Sequence, residues 1–134
     1  MFNRKKNSQQ KRIDSLIGAG TVVHGDVTFA GGLRIDGHVN GNVIAAEGEP
    51  GTLVVSAQAR IEGEIRVSHV VINGNVNGPI SVGDHLELQP KARIVGDVSY
   101  RTLEMHLGAV IEGRLVHNEP ATAAVVELKR QTGN

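Results

Sequence analysis

Two histidine arrangements are the main chemistry this sequence offers. His69 and His85 lie sixteen residues apart, and each immediately precedes an apolar residue, Val70 or Leu86. In a chain that coils with turns of that length the two imidazoles stack, and paired imidazoles can ligate a divalent metal. A zinc site needs three or four ligands, and Thr102 holds the next equivalent position. The expectation is therefore two solvated corner residues. His24 is the second candidate, because an imidazole titrates near neutrality and suits a general base. It follows Val23 in a run where Ile17, Val23, Phe29 and Ile35 recur every six residues. His38, His106 and His117 read as isolated. The chain has no cysteine, which excludes a disulfide, a thiolate zinc site and a cysteine nucleophile. It has no Walker loop, no strand–GxGxxG–helix unit and no GxSxG elbow. Neither a catalytic centre, a cofactor nor a metal is expected.

The element that must position these residues is a repeat. The unit apolar–x–Gly–x–apolar occurs at Val23–Val27, Val39–Val43, Ile61–Ile65, Val76–Ile80, Ile94–Val98 and Ile111–Leu115. A fixed period of this kind marks a solenoid. Counted from an apolar start, the turns open at Leu16, Leu33, Leu53, Val70, Leu86 and Leu103, with spacings of 17, 20, 17, 16 and 17. The longest spacing contains Ala46-Glu47-Gly48-Glu49-Pro50-Gly51, which reads as a loop bulging from one corner. Two turn types are visible. Leu33–Val43 matches Val70–Ile80, and Gln58–Gly63 matches Lys91–Gly96 and Gly108–Gly113. Period-two alternation with β-branched residues predicts short strands. Coiled into rungs about 4.8 Å apart, six turns make a rod of roughly 29 Å. The expected fold is all-β, a parallel β-helix with three short faces per turn. A β-sandwich leaves the repeat unexplained. Asp26, Asp36, Glu62, Glu64, Asp97 and Glu112 should point outward. The glycines mark either corners or backbone packed too tightly for a Cβ.

Composition agrees with a narrow interior. Aromatic residues are 2% of the 134, and glycines number seventeen. The formal net charge of zero hides an asymmetry. Residues 1–12 hold Arg4, Lys5, Lys6, Lys11 and Arg12 and no acid, so nine cations face fourteen acids in the rest. Residues 1–15 read as a flexible basic tail and 16–116 as the β-helix. Residues 117–134 lose the period and read as a second flexible tail, despite a helix start at Pro120. The first residues lack the apolar stretch of a secretory signal, and no apolar run is long enough to span a membrane. A cytoplasmic place is expected. The acidic body and scarce aromatics argue against nucleic acid as a partner.

A β-helix leaves unpaired N–H and C=O groups at both ends, and such edges template pairing with another chain. Most solenoids cover them with a polar capping repeat. Here the first turn carries Leu16, Ile17, Val22, Val23, Val27 and Phe29, and the last carries Leu103, Met105, Leu107, Val110, Ile111 and Leu115. Both are as apolar as the interior, so the ends are expected to stack on other copies, with no nucleotide required. Met1 and Phe2 beside Arg4, Lys5 and Lys6 make an amphiphilic tail suited to an anionic membrane surface. A filament displaying many tails would bind by avidity.

Two family resemblances follow from these residues. The hexad run Ile17, Val23, Phe29, Ile35 resembles the repeat of left-handed β-helix acyltransferases, which would make His24 the base. Gly41 breaks the next slot, and later segments hold no hexads. The stronger resemblance covers about residues 16–116. Leu16-Ile17-Gly18-Ala19-Gly20, Ile35–Val43 and the Ala-Arg-Ile-x-Gly turns are similar to the bactofilins, bacterial cytoskeletal proteins. That resemblance implies a right-handed β-helix, nucleotide-independent nonpolar filaments joined through like ends, and a role as a scaffold for cell shape or cell-wall enzymes. It also implies attachment to the inner face of the cytoplasmic membrane through the N-terminal motif, here Met1, Phe2, Arg4, Lys5 and Lys6.

Overall fold

The computed structural model describes residues 13–118, which form sixteen strands and, among the described residues, no helix. Every strand pairing is parallel. The chain winds six times around three faces. The first face holds β1 (Ser15–Ile17), β4 (Gly31–Ile35), β7 (Gly51–Val55), the second half of β9 (Ile65–Ile72), the second half of β11 (Ile80–Leu88), and β14 (Thr102–Met105). The second face stacks β2 (Val22–His24), β5 (His38–Asn40), β8 (Arg60–Glu62), β10 (Asn75–Asn77), β12 (Arg93–Val95) and β15 (Val110–Glu112). The third holds β3 (Val27–Phe29), β6 (Val43–Ala45), the first halves of β9 and β11, β13 (Val98–Tyr100) and β16 (Leu115–His117). Because β9 and β11 run round one corner, the first and third faces join into a single ten-stranded sheet.

The pentad repeat sets two interior columns. Val23, Val39, Ile61, Val76, Ile94 and Ile111 are successive register partners on the second face. Val27, Val43, Ile65, Ile80, Val98 and Leu115 are partners on the third. A third column, Ile17, Ile35, Val55, Ile72, Leu88 and Met105, lines the first face. In the four middle turns these side chains are 0–1% exposed. The core is thus a stack of aliphatic residues, one rung repeating the next, and no buried position in the described chain is polar or charged. The acids at the repeat's x positions are exposed or half-exposed, as alternation requires.

The glycine between the two columns is both a corner and a close approach. A Cβ on Gly41, Gly63, Gly78, Gly96 or Gly113 would lie 2.0–2.4 Å from the carbonyl oxygen of the glycine one turn earlier. The ladder crosses this corner unbroken. Gly41, Gly63 and Gly78 donate their N–H to the carbonyls of Glu62, Asn77 and Val95 at 2.9–3.0 Å. Beside it, Asp26, Asn42 and Asp97 each accept the backbone N–H of the residue stacked above through a side-chain oxygen, at 2.8–3.0 Å.

Two details of the expected winding change. Leu16 is the register partner of Arg34, not of Leu33, and it points outward at 61% exposure. Ser15 takes the inward slot, so the first turn runs eighteen residues from Ile17 to Ile35. A turn of eighteen over three faces places one apolar residue per face every six. That is the origin of the hexad run, which ends at Gly41 because Val39, the next inward residue, follows Ile35 by four residues where Val23 follows Ile17 by six. The second detail is a bulge. Gly83 and Asp84 on β11 occupy the space opposite Ser68 alone on β9.

Candidate functional site

Both ends of the solenoid are open in the described chain. β1, β2 and β3 pair on one side only, as do β14, β15 and β16. Among the described residues the interior columns run out at these edges with nothing above them. Leu88 is 0% exposed and its partner Met105 45%; Val98 is 0% and its partner Leu115 45%. Ile17, Val23 and Val27 at the first turn and Leu103 and Ile111 at the last are half-buried against the core for the same reason.

The outward positions add to this. On the second face the first outward column reads Val22, His38, Arg60, Asn75, Arg93, Val110. It is polar or charged in the middle turns and valine at both ends. Nine large hydrophobic side chains are exposed in the described chain, and all but Val95 lie in the first or last turn. Ile13, Leu16 and Val22 mark one end; Met105, Leu107, Val110, Leu115 and Val116 mark the other. Exposed apolar surface concentrated on two strand edges is the signature of a surface that pairs with another chain. A family model described as "Bactofilin: Polymer-forming cytoskeletal" matches residues 15–116.

The chain belongs to the bactofilin family.

Searches of the curated proteins and of the solved structures found no match. Membership makes this a polymer-forming cytoskeletal protein of a structural family. Of the end residues singled out in the sequence, Leu16, Ile17, Val22, Val27, Leu103, Met105, Leu107, Ile111 and Leu115 all stand in the two outermost turns of the bactofilin fold. Phe29 differs. At 9% exposure it belongs to the core, beside Gly51, where a Cβ would meet its ring at 3.4 Å. Ile13 and Val116 were missed, because each adjoins a segment whose sequence has lost the repeat.

The histidines of this bactofilin sit on its outer surface. His24 is exposed on β2, with Nδ1 3.4 Å from the Asn40 amide. The family match does not favour the acyltransferase reading. His69 and His85 are register partners on adjacent rungs, between Thr52 and Thr102. Each has a carboxylate nearby: His69 Nε2 is 3.4 Å from Asp84 and His85 Nε2 is 3.9 Å from Glu104. Asp84, brought here by the bulge, is held below the usual carboxylate range mainly by its hydrogen bond from Arg101. Two histidines are not isolated as the sequence suggested. His106 lies between Glu87 and Glu104, and the His117 ring packs at a 45° tilt against Tyr100, 5.5 Å between centroids, with Nε2 2.9 Å from the Arg101 carbonyl. Apart from Glu104, their partners lie 16–19 residues away, one rung over. Met1, Phe2, Arg4, Lys5 and Lys6 lie outside the described residues. No described helix is long and apolar enough to cross a membrane.

Proposed function

We propose that this bactofilin polymerises end to end, without nucleotide, into nonpolar filaments on the inner face of the cytoplasmic membrane, where it scaffolds cell shape or cell-wall machinery. The observation that carries the reading is the placement of exposed apolar side chains on the two unpaired rungs. Each end has its own apolar set, so each can meet a copy of itself, as contacts between like ends require. Nothing in such a contact calls for a nucleotide, since hydrophobic burial and strand pairing supply the association. The basic, Met-Phe-led tail supports the membrane part. Each cation near an anionic leaflet contributes about 1 kcal/mol, which is weak for one tail and strong for a filament of them.

Negative-stain microscopy of the purified, nucleotide-free chain tests the assembly. Filaments are expected, and averaged images should show two-fold axes perpendicular to the filament. Uniform monomers or compact trimers would sink the proposal. Filaments lacking those axes would leave the polymer standing and remove the like-end contact.

A further inference from the structure

The outer surface of the first face carries a cluster of donor groups that the polymer ends do not use. Glu87 sits on β11 in the fifth turn, and Glu104 is its register partner on β14 in the sixth. His106 follows at the next corner. Its Nε2 is 3.0 Å from one Glu87 oxygen and 3.4 Å from one Glu104 oxygen. One ligand atom from each of the three residues lies within 4.8 Å of the others. The Glu87, His106 and Glu104 side chains are 24%, 39% and 55% exposed, so the cluster is open to an ion and shielded only on the Glu87 side.

Two carboxylates directly opposite each other on neighbouring strands repel, yet both converge on one imidazole nitrogen. A neutral imidazole can donate at most one proton there, to one of them. A divalent cation between them satisfies both carboxylates and the nitrogen lone pair together.

His85 flanks the cluster. Its Nδ1 is 2.6 Å from the Thr102 hydroxyl, an oxygen partner of the kind that orients metal-binding histidines, and its Nε2 faces the second Glu104 oxygen at 3.9 Å.

We propose that Glu87, Glu104 and His106 form a site for a divalent transition metal, flanked by His85. Imidazole beside carboxylate selects zinc-like ions over magnesium and calcium, which prefer oxygen alone. The ion links the fifth turn to the sixth. β14 has a single strand neighbour, so the link tightens the terminal rung from which a neighbouring copy would grow.

The test is titration of the untagged full-length chain with zinc chloride by calorimetry, with amide exchange read in parallel. One zinc per chain is expected, with slower exchange over residues 102–106 and no comparable binding of magnesium. His106→Ala and Glu87→Gln, both surface changes, should each weaken zinc at least about tenfold, while His38→Ala on the second turn leaves it unchanged. Absence of zinc binding, the result expected of an imidazolium–carboxylate contact alone, overturns the proposal. Binding that survives both cluster variants, or that leaves exchange over 102–106 unaltered, overturns it equally.

Discussion

At the scale of single residues, stability depends on what a side chain meets one rung away. Gly78 has a φ of +151°, and a Cβ there would lie 2.2 Å from the Gly63 carbonyl oxygen. Gly78→Ala must strain its backbone and separate two rungs, and a loss of more than about 1 kcal/mol is expected in chemical denaturation. At Gly83 the nearest atoms to an added Cβ are 4.0 Å away. Gly83→Ala should stay within about 0.5 kcal/mol of the parent. Equal losses at both sites would contradict the glycine ladder. Asp97 shows the same cross-rung logic in charge. It accepts the Arg114 N–H at 3.0 Å and faces the Arg114 guanidinium at 3.4 Å, which together hold its carboxyl below the usual range. A depressed carboxylate stabilises the fold above its unfolded value of about 4 and loses that contribution as pH falls through its folded value. The melting temperatures of the parent and Asp97→Asn should therefore differ at neutral pH and converge in acid.

At the scale of elements, the strands are short because no strand buries a face by itself; the stack does. Residue identity along each inward column was legible from the pentad, since both flanking apolar residues and the glycine recur in every turn. Register at the first turn was not. Leu16 and Ile17 are both apolar, and only pairing with Arg34 and Ile35 shows which one points inward. The unpaired strands at either end carry the clearest element-scale test. Leu115 occupies the same column as Val98 but has no rung over it among the described residues. Leu115→Arg should leave the fold intact by circular dichroism and shorten or abolish sedimentable filaments. Val98→Arg, at a fully buried position, should destroy the fold itself, because an unpaired charge cannot be accommodated there. Normal filaments from Leu115→Arg would move the contact away from β16.

At the scale of the whole molecule, the proposed function assigns assembly to the two apolar ends and membrane attachment to the basic N-terminal residues. Phe2→Glu should leave filaments unchanged in the microscope and abolish their co-sedimentation with anionic liposomes. Persistent sedimentation would place the membrane contact elsewhere on the chain. His69 and His85 can serve a different purpose from the ends, because they lie on the fourth and fifth turns, each with a rung on either side.

The sequence alone determined the solenoid, its six turns, its corner loop and the apolar character of both ends. Each follows from a pattern that recurs along the chain, and stacking identical turns satisfies that pattern wherever it is read. Only the tertiary structure decided which residues face one another between turns. That includes the outward Leu16, the buried Phe29, the stacked corner glycines and the meeting of Glu87, Glu104 and His106. Partners on adjacent rungs lie from fifteen residues apart, as Ile65 and Ile80, to twenty-two, as Val43 and Ile65, so a cross-rung neighbour cannot be counted off at a constant interval. The hydrogen-bond register, with its bulge at Asp84 and its loop at Ala46–Gly51, sets each contact.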